Sequence, residues 1–230
     1  MEGAAFSETP PVFSPDGARV VFQQGAPPYA VVVQPVTGAT QARQLMPAGE
    51  QAAILPFDWS PDGSRVLISE FGTTRRTATL ASEGEPKPLV YLDAAIEAGA
   101  VFSPDGKFVA ATEGSANDRQ VFLRPYPSAA DGRWVVSTPG GVFPRWRRDG
   151  RELFYQNRDG VIMAVPIKLS PSVEIGTPVP LFQLQLGLNT FFSAFDVMPD
   201  GQSFVTLRRR NAVVNPARVT VVVNWPATLR

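Results

Sequence analysis

Of the seven Asp-Gly pairs in this 230-residue chain, five recur at a near-regular spacing: Asp16-Gly17, Asp62-Gly63, Asp105-Gly106, Asp149-Gly150 and Asp200-Gly201. Their spacings are 46, 43, 44 and 51 residues. The first three stand in near-identical surroundings: "FSPDGARVVF" (13–22), "WSPDGSRVLI" (59–68) and "FSPDGKFVAA" (102–111). Asp-Gly between two apolar stretches marks a tight reversal, because Gly accepts positive φ and Asp can bond the backbone two residues on. A proline before the Asp, at 15, 61, 104 and 199, presets φ where the turn begins. Self-similarity at a period near 40–50 residues without a helical pattern is the period of β-propeller blades, each a four-stranded antiparallel sheet. With 23 prolines and 19 glycines spread along the chain, few windows could hold a helix of three turns.

The chain therefore reads as all-β, a single β-propeller domain over 1–230 with blades over about 10–46, 55–91, 98–137, 142–183 and 191–225. In the first repeat, segments 10–13, 18–23, 29–34 and 41–46 are the expected strands. The last repeat stops after three (191–197, 202–208, 218–225), and residues 2–8 are the expected closing strand beside it. The residue before each turn, Phe13, Trp59, Phe102, Trp146 or Val197, is expected to wedge between adjacent sheets rather than serve as a stacking platform. The fourth copy carries Arg147-Arg148 and the fifth Met198-Pro199 where the others have Ser-Pro, so those two turns are expected to differ in type.

The "FSPDG/WSPDG" repeats resemble the WD40-like (PD40) repeats of the periplasmic TolB family, over nearly the whole chain. The stretch "QVFLRPYPSAADGRWVVSTPGGVFPRWRRDGRELFYQNRDGVIMAVPI" (120–167) and the tail 195–225 further resemble the C-terminal propeller that follows the kinase domain in some bacterial serine/threonine kinases. These resemblances imply a sensor or protein-binding module of a larger bacterial signalling protein, periplasmic or extracytoplasmic if its parent is of that kind. TolB-type propellers usually have six blades and five are countable here, which leaves a five-bladed ring or part of a longer one. The kinase motifs themselves are absent: no glycine-rich phosphate loop, Val-Ala-Ile-Lys, His-Arg-Asp or Asp-Phe-Gly occurs.

Composition narrows the chemistry. Lys+Arg and Asp+Glu both number 21, which removes the usual electrostatic case for a nucleic-acid or anionic-membrane partner. There is no cysteine and no histidine, so thiol chemistry, a Ser-His-Asp triad and the commonest zinc ligands are all missing, and no metal or cofactor is expected. The first residues, "MEGAAFSETPP", have neither the basic nor the apolar region of a signal peptide, and no apolar run approaches a membrane span, so no membrane insertion is expected.

One alignment could carry function. The residue before each wedge is Val12, Asp58, Val101, Arg145 or Asp196, so Asp58, Arg145 and Asp196 are expected at one level of the innermost strands as a partial charged ring at a central channel. Arg145 there neutralises the two carboxylates, or else Asp58 and Asp196 form the acid pair of a glycoside hydrolase, their carboxyls about 5–10 Å apart. Glu97 is a third candidate carboxylate, and Trp146, Arg147 and Arg148 with 208–210 are the dense basic runs. The reading preferred is a non-catalytic platform for a protein or peptide partner. A glycan-binding or glycan-cleaving propeller is the alternative, and the oligomeric state stays open.

Overall fold

The structure is a computed structural model, and it describes residues 10–25, 29–38, 41–47, 53–73, 75–85, 87–96, 98–115, 117–184 and 193–207, with the backbone of 219–222. Among the described residues, short apolar runs between Gly- and Pro-bearing turns give twenty strands and a single 3-10 turn at Ala129–Asp131. The proposed closing strand at 2–8, Glu97 and the 208–210 run lie outside the described residues.

Each repeat folds into its own antiparallel sheet. The first holds β1 (Val12–Phe13), β2 (Arg19–Gln24), β3 (Ala30–Pro35) and β4 (Arg43–Met46) in sequence order. The second holds β5 (Ala53–Trp59), β6 (Arg65–Phe71), β7 (Arg76–Ala81) and β8 (Leu89–Leu92). The third comprises β9 (Ala100–Phe102), β10 (Phe108–Glu113), β11 (Gln120–Pro125) and β12 (Trp134–Val135). The fourth contains β13 (Val142–Trp146), β14 (Glu152–Gln156), β15 (Val161–Lys168) and β16 (Glu174–Ile175), with β17 (Val179–Gln183) also on β15. This fifth strand exists because β15 is eight residues long: its far end pairs Ile167 with Ile175, and its near end pairs Val161 with Gln183. The fifth sheet shows β18 (Phe195–Val197), β19 (Phe204–Leu207) and β20 (Val219–Val222) among the described residues.

The chain divides into two compact units, residues 1–109 with 124–133, and 110–123 with 134–230. In the first, Val21, Val31, Ile54, Val66, Ile68 and Leu80 form a continuous fully buried cluster with Trp59 at its edge. Complete burial of one such aliphatic side chain contributes about 1.5–3 kcal/mol. In the second, Phe204 takes the edges of Phe154 and Phe182, both with ring centroids 5.1 Å away.

Loops that follow a sheet are pinned by hydroxyls inside it. Ile96 N–H donates to Ser69 Oγ at 3.1 Å and lies 3.2 Å from Thr77 Oγ1, which itself donates to the Ala94 carbonyl at 2.8 Å. Phe143 N–H likewise reaches Thr112 Oγ1 at 3.1 Å in the second unit. All three hydroxyl residues are buried, so these bonds satisfy polar groups that water cannot reach.

Candidate functional site

The turns come first, because they set the inner strands. In the first copy Gly17 N–H closes on the Ser14 carbonyl at 2.8 Å and Ser14 N–H on the Arg19 carbonyl at 2.9 Å. The same two bonds recur from Ser60, Ser103, Arg147 and Met198. The expectation that the fourth and fifth turns differ is therefore corrected: their backbone is the same, because main-chain bonds and a glycine at positive φ define it (Gly150 at 73°, Gly201 at 64°). What differs is the first side chain. Ser60 Oγ accepts from Arg65 N–H at 2.9 Å and donates to Asp62 Oδ1 at 2.6 Å, and Ser103 does the same with Phe108 and Asp105 at 3.0 and 2.6 Å.

Those bonds perturb the carboxylates. The Ser14 hydroxyl, then the Ala18 N–H, holds Asp16 below the ordinary value of 3.8; the Ser60 hydroxyl, then Ser64 N–H, does so for Asp62. For Asp200 the Gln202 N–H leads and the Ser203 hydroxyl follows. Asp105 and Asp149 accept the N–H of Lys107 and Arg151 at 3.1 and 3.0 Å. Each turn aspartate is thus occupied in bonds within its own hairpin, which is structural work.

The residues just ahead of the wedges occupy equivalent places in their sheets. Val12 pairs with Val21, Asp58 with Leu67, Arg145 with Phe154 and Asp196 with Val205, the same offset each time. Two of these strands carry a register shift immediately before the charged residue, between Pro56 and Asp58 and between Val142 and Arg145. Pro56 and Pro144 mark these irregularities in the sequence, since a proline cannot donate to a regular ladder. In the second bulge Phe143 is buried at φ 58°, a left-handed conformation costly to a bulky side chain.

Each charged side chain links one sheet to the next. Asp58 Oδ2 accepts the Phe102 N–H at 2.7 Å, within the first unit. Within the second, Arg145 Nε lies 3.4 Å from Asp196 Oδ1, while Arg145 Nη1 donates to the Pro144 carbonyl at 2.9 Å. Asp196 Oδ1 also accepts the Val197 N–H at 2.8 Å, and its side chain is 71 % exposed. In the first copy the link runs through the backbone: the Val12 carbonyl accepts Trp59 Nε1–H at 3.0 Å, and the Arg19 guanidinium stands 5.0 Å from the Trp59 ring centroid.

Of the basic run, Arg147 Nη1 donates to Glu152 Oε2 at 2.8 Å and Nε lies 3.3 Å from Asp149 Oδ2. Arg148 is exposed, and Trp146 is half-buried. Among the described residues no group of three or more acidic side chains is placed to hold a metal ion, and no helix is long and apolar enough to cross a membrane.

The wedge expectation needs one correction. Trp59 and Phe102 are buried, Trp146 and Val197 half-buried, but Phe13 is 59 % exposed. A wedge is covered by the repeat before it, as Trp59 is by Val12 and Arg19. Phe13 belongs to the first copy of the series. Residues that motif reading passed over are the turn serines and Arg19; the signal was the recurrence of Ser two positions before Asp in three copies.

No protein-family model matches the sequence, and no curated protein matches it significantly. Solved structures do. The chain is similar to TolB from Acinetobacter baumannii, with 15 % identity and TM-score 0.67 over 90 % of this chain and 51 % of that one. It is also similar to a chain of Kuenenia stuttgartiensis hydrazine synthase, with 15 % identity and TM-score 0.57 over 92 % of this chain and 70 % of that one. A third is a chain of the nidogen/laminin complex, with 11 % identity and TM-score 0.54 over 73 % and 62 %. The fold is thus that of a TolB-like β-propeller, and the chain spans about half the length of the TolB chain it matches. Those three names cover unrelated activities, so the fold by itself selects none of them.

Proposed function

We propose that this TolB-like propeller is a non-catalytic platform that binds a protein or peptide partner, as the interaction module of a larger bacterial signalling protein with an extracytoplasmic setting. One observation carries the reading: the charged side chains of the inner strands are engaged in joining neighbouring sheets. Asp58 holds the Phe102 N–H, and Arg145 holds Asp196. A glycoside hydrolase needs one carboxyl ready to protonate the leaving oxygen and a second ready to attack or to activate water. Carboxylates bonded to a backbone N–H and to a guanidinium are poorly suited to either role. What the inner strands do supply is a stiff support, and loops carried on a rigid support are where partner contacts concentrate.

The test pairs two measurements. Affinity capture from an extract of the source organism, with wild type and Arg145→Glu, should recover one specific protein that the variant loses or holds less well. Glycoside hydrolysis should be absent from wild type. Sugar cleavage that disappears in Asp58→Asn, with no specific partner recovered, overturns the proposal.

A further inference from the structure

Consecutive copies meet along seams of one pattern. The turn of one copy lies against the turn glycine of the next: a Cβ on Gly63 would stand 3.9 Å from Pro15 Cδ, one on Gly106 3.4 Å from Pro61 Cδ, and one on Gly201 2.8 Å from Arg147 Cγ. One step along the inner strand, Val12 reaches Trp59, Asp58 reaches Phe102 and Arg145 reaches Asp196. The seam between the first and second copies carries something more, a pair of arginines from one sheet face.

Arg19 and Arg43 share that face because Val21 pairs with Val33, Val33 pairs with Arg43, and Arg19 stands two residues before Val21 on β2. Both guanidiniums end on the segment that joins β7 to β8. Arg19 Nη1 lies 3.3 Å from Glu83 Oε1, and Arg43 Nη1 donates to the Gly84 carbonyl at 3.1 Å. The segment is tied down at Ser82, whose N–H reaches the Ser64 carbonyl at 2.8 Å and whose Oγ donates to the Gly63 carbonyl at 2.7 Å. Beyond it Glu83, Gly84 and Glu85 are exposed, and among the described residues a Cβ at Gly84 would meet nothing within 4 Å.

These partners match the two arginines poorly. Arg43 Nη2 is buried and has no hydrogen-bond partner among the described residues, although a buried polar group ordinarily has one. A carbonyl offers its oxygen to one arm of the guanidinium fork, whereas a carboxylate fills both. Glu83 is 84 % exposed and rests on Arg19 as a surface ion pair, a kind that contributes little. Arg65, which holds Arg19's place in the second copy, instead commits Nε and Nη2 to the hydroxyl and carbonyl of Thr79 at 2.8 and 3.3 Å.

We propose that Arg43 and Arg19 form a carboxylate-binding site for an acidic segment of the protein partner, an inference that rests on the reading of the chain as a binding platform. One ligand carboxylate takes the place of the Gly84 carbonyl and bridges Nη1 and Nη2 of Arg43, and a second displaces Glu83 from Arg19. The 83–85 segment, fixed at Ser82 and exposed beyond it, yields as the ligand enters. Glu83 is the tethered competitor of this site.

Isothermal titration calorimetry at low ionic strength, with end-blocked hexaglutamate, end-blocked hexaglutamine and inorganic phosphate as probes, tests this. Wild type should bind hexaglutamate and leave hexaglutamine unbound. Arg43→Lys keeps the charge and removes the fork, so affinity should fall about tenfold or more. Glu83→Gln removes the competitor and should raise affinity about threefold. Hexaglutamate that fails to bind, or that binds Arg43→Lys as well as wild type, overturns the proposal. So does a Glu83→Gln affinity no higher than that of wild type, or phosphate binding more tightly than the peptide, which assigns the arginines to a free oxyanion. Affinity capture separates the site from the platform: a specific partner held equally by wild type and Arg43→Lys overturns the site and leaves the platform standing. A wild type that captures no partner counts against the platform, and the titration still decides the site.

Discussion

Position 59 and position 13 have the same place in the repeat and opposite surroundings, so they measure what a seam is worth. Trp59 is 2 % exposed, its Nε1 donates to the Val12 carbonyl at 3.0 Å, and Arg19 lies over its ring. Trp59→Ala removes the buried indole and leaves a cavity, at about 3–5 kcal/mol. The Val12 carbonyl also loses a donor, adding about 1 kcal/mol. Trp59→Phe keeps most of the packing and loses the hydrogen bond and part of the cation–π contact, so it should cost about 1–2 kcal/mol. Phe13→Ala, at a site 59 % exposed, should fall within about 0.5 kcal/mol. At about 2–4 °C per kcal/mol for a chain of this size, thermal melts at low protein concentration should place Trp59→Ala on the order of 10 °C below wild type, with Phe13→Ala indistinguishable from it. Equal shifts for the two alanine variants would refute the claim that each wedge is buried by the copy before it.

Gly17→Ala and Gly201→Ala share the positive-φ penalty, about 1 kcal/mol, but only the second drives a Cβ into Arg147, whose head is fixed by Glu152 and Asp149; urea titration should show a further cost of about 1–3 kcal/mol at Gly201. The carboxyls of Asp16, Asp62 and Asp200 are depressed on folding, so their contribution is fully present above 3.8 and is lost as pH falls through their lower folded values. Melting temperature should therefore decline below about pH 3.8, and Asp62→Asn should flatten that decline. Asp58→Ala strips the acceptor from the Phe102 N–H and should cost about 1–3 kcal/mol by chemical denaturation, whereas Asp58→Asn, which can still accept, should cost less.

Periodicity made the architecture readable. An Asp-Gly pair with apolar flanks is a local signal, and five copies place five hairpins without any long-range information. In the first repeat the expected segments 18–23 and 29–34 correspond to β2 at 19–24 and β3 at 30–35. The extra strand of the fourth sheet was not readable in the same way, because it depends on β15 outrunning its neighbours and offering a second stretch of edge. At the inner strands, the alignment placed Asp58, Arg145 and Asp196 at equivalent positions, but their partners depend on which backbone N–H or side chain the next sheet presents. A pattern of residue types cannot specify that Asp58 faces an amide while Asp196 faces a guanidinium. Phe13 shows the same limit: identical in type to Phe102, it differs in burial because burial is a property of the neighbour.

Because the three seams seen among the described residues join consecutive copies and use parts at fixed offsets from the Asp-Gly pair, the chain behaves as a modular register. Deleting the whole second copy, β5 to β8 with its turns, would leave Pro15 and Arg19 of the first copy to meet Gly106 and Phe102 of the third, again a proline at a turn glycine and a cation at a wedge aromatic. A joint made only of parts that every copy carries can thus be re-formed between copies that were not neighbours before, which ties each repeat to its place through its two flanks alone.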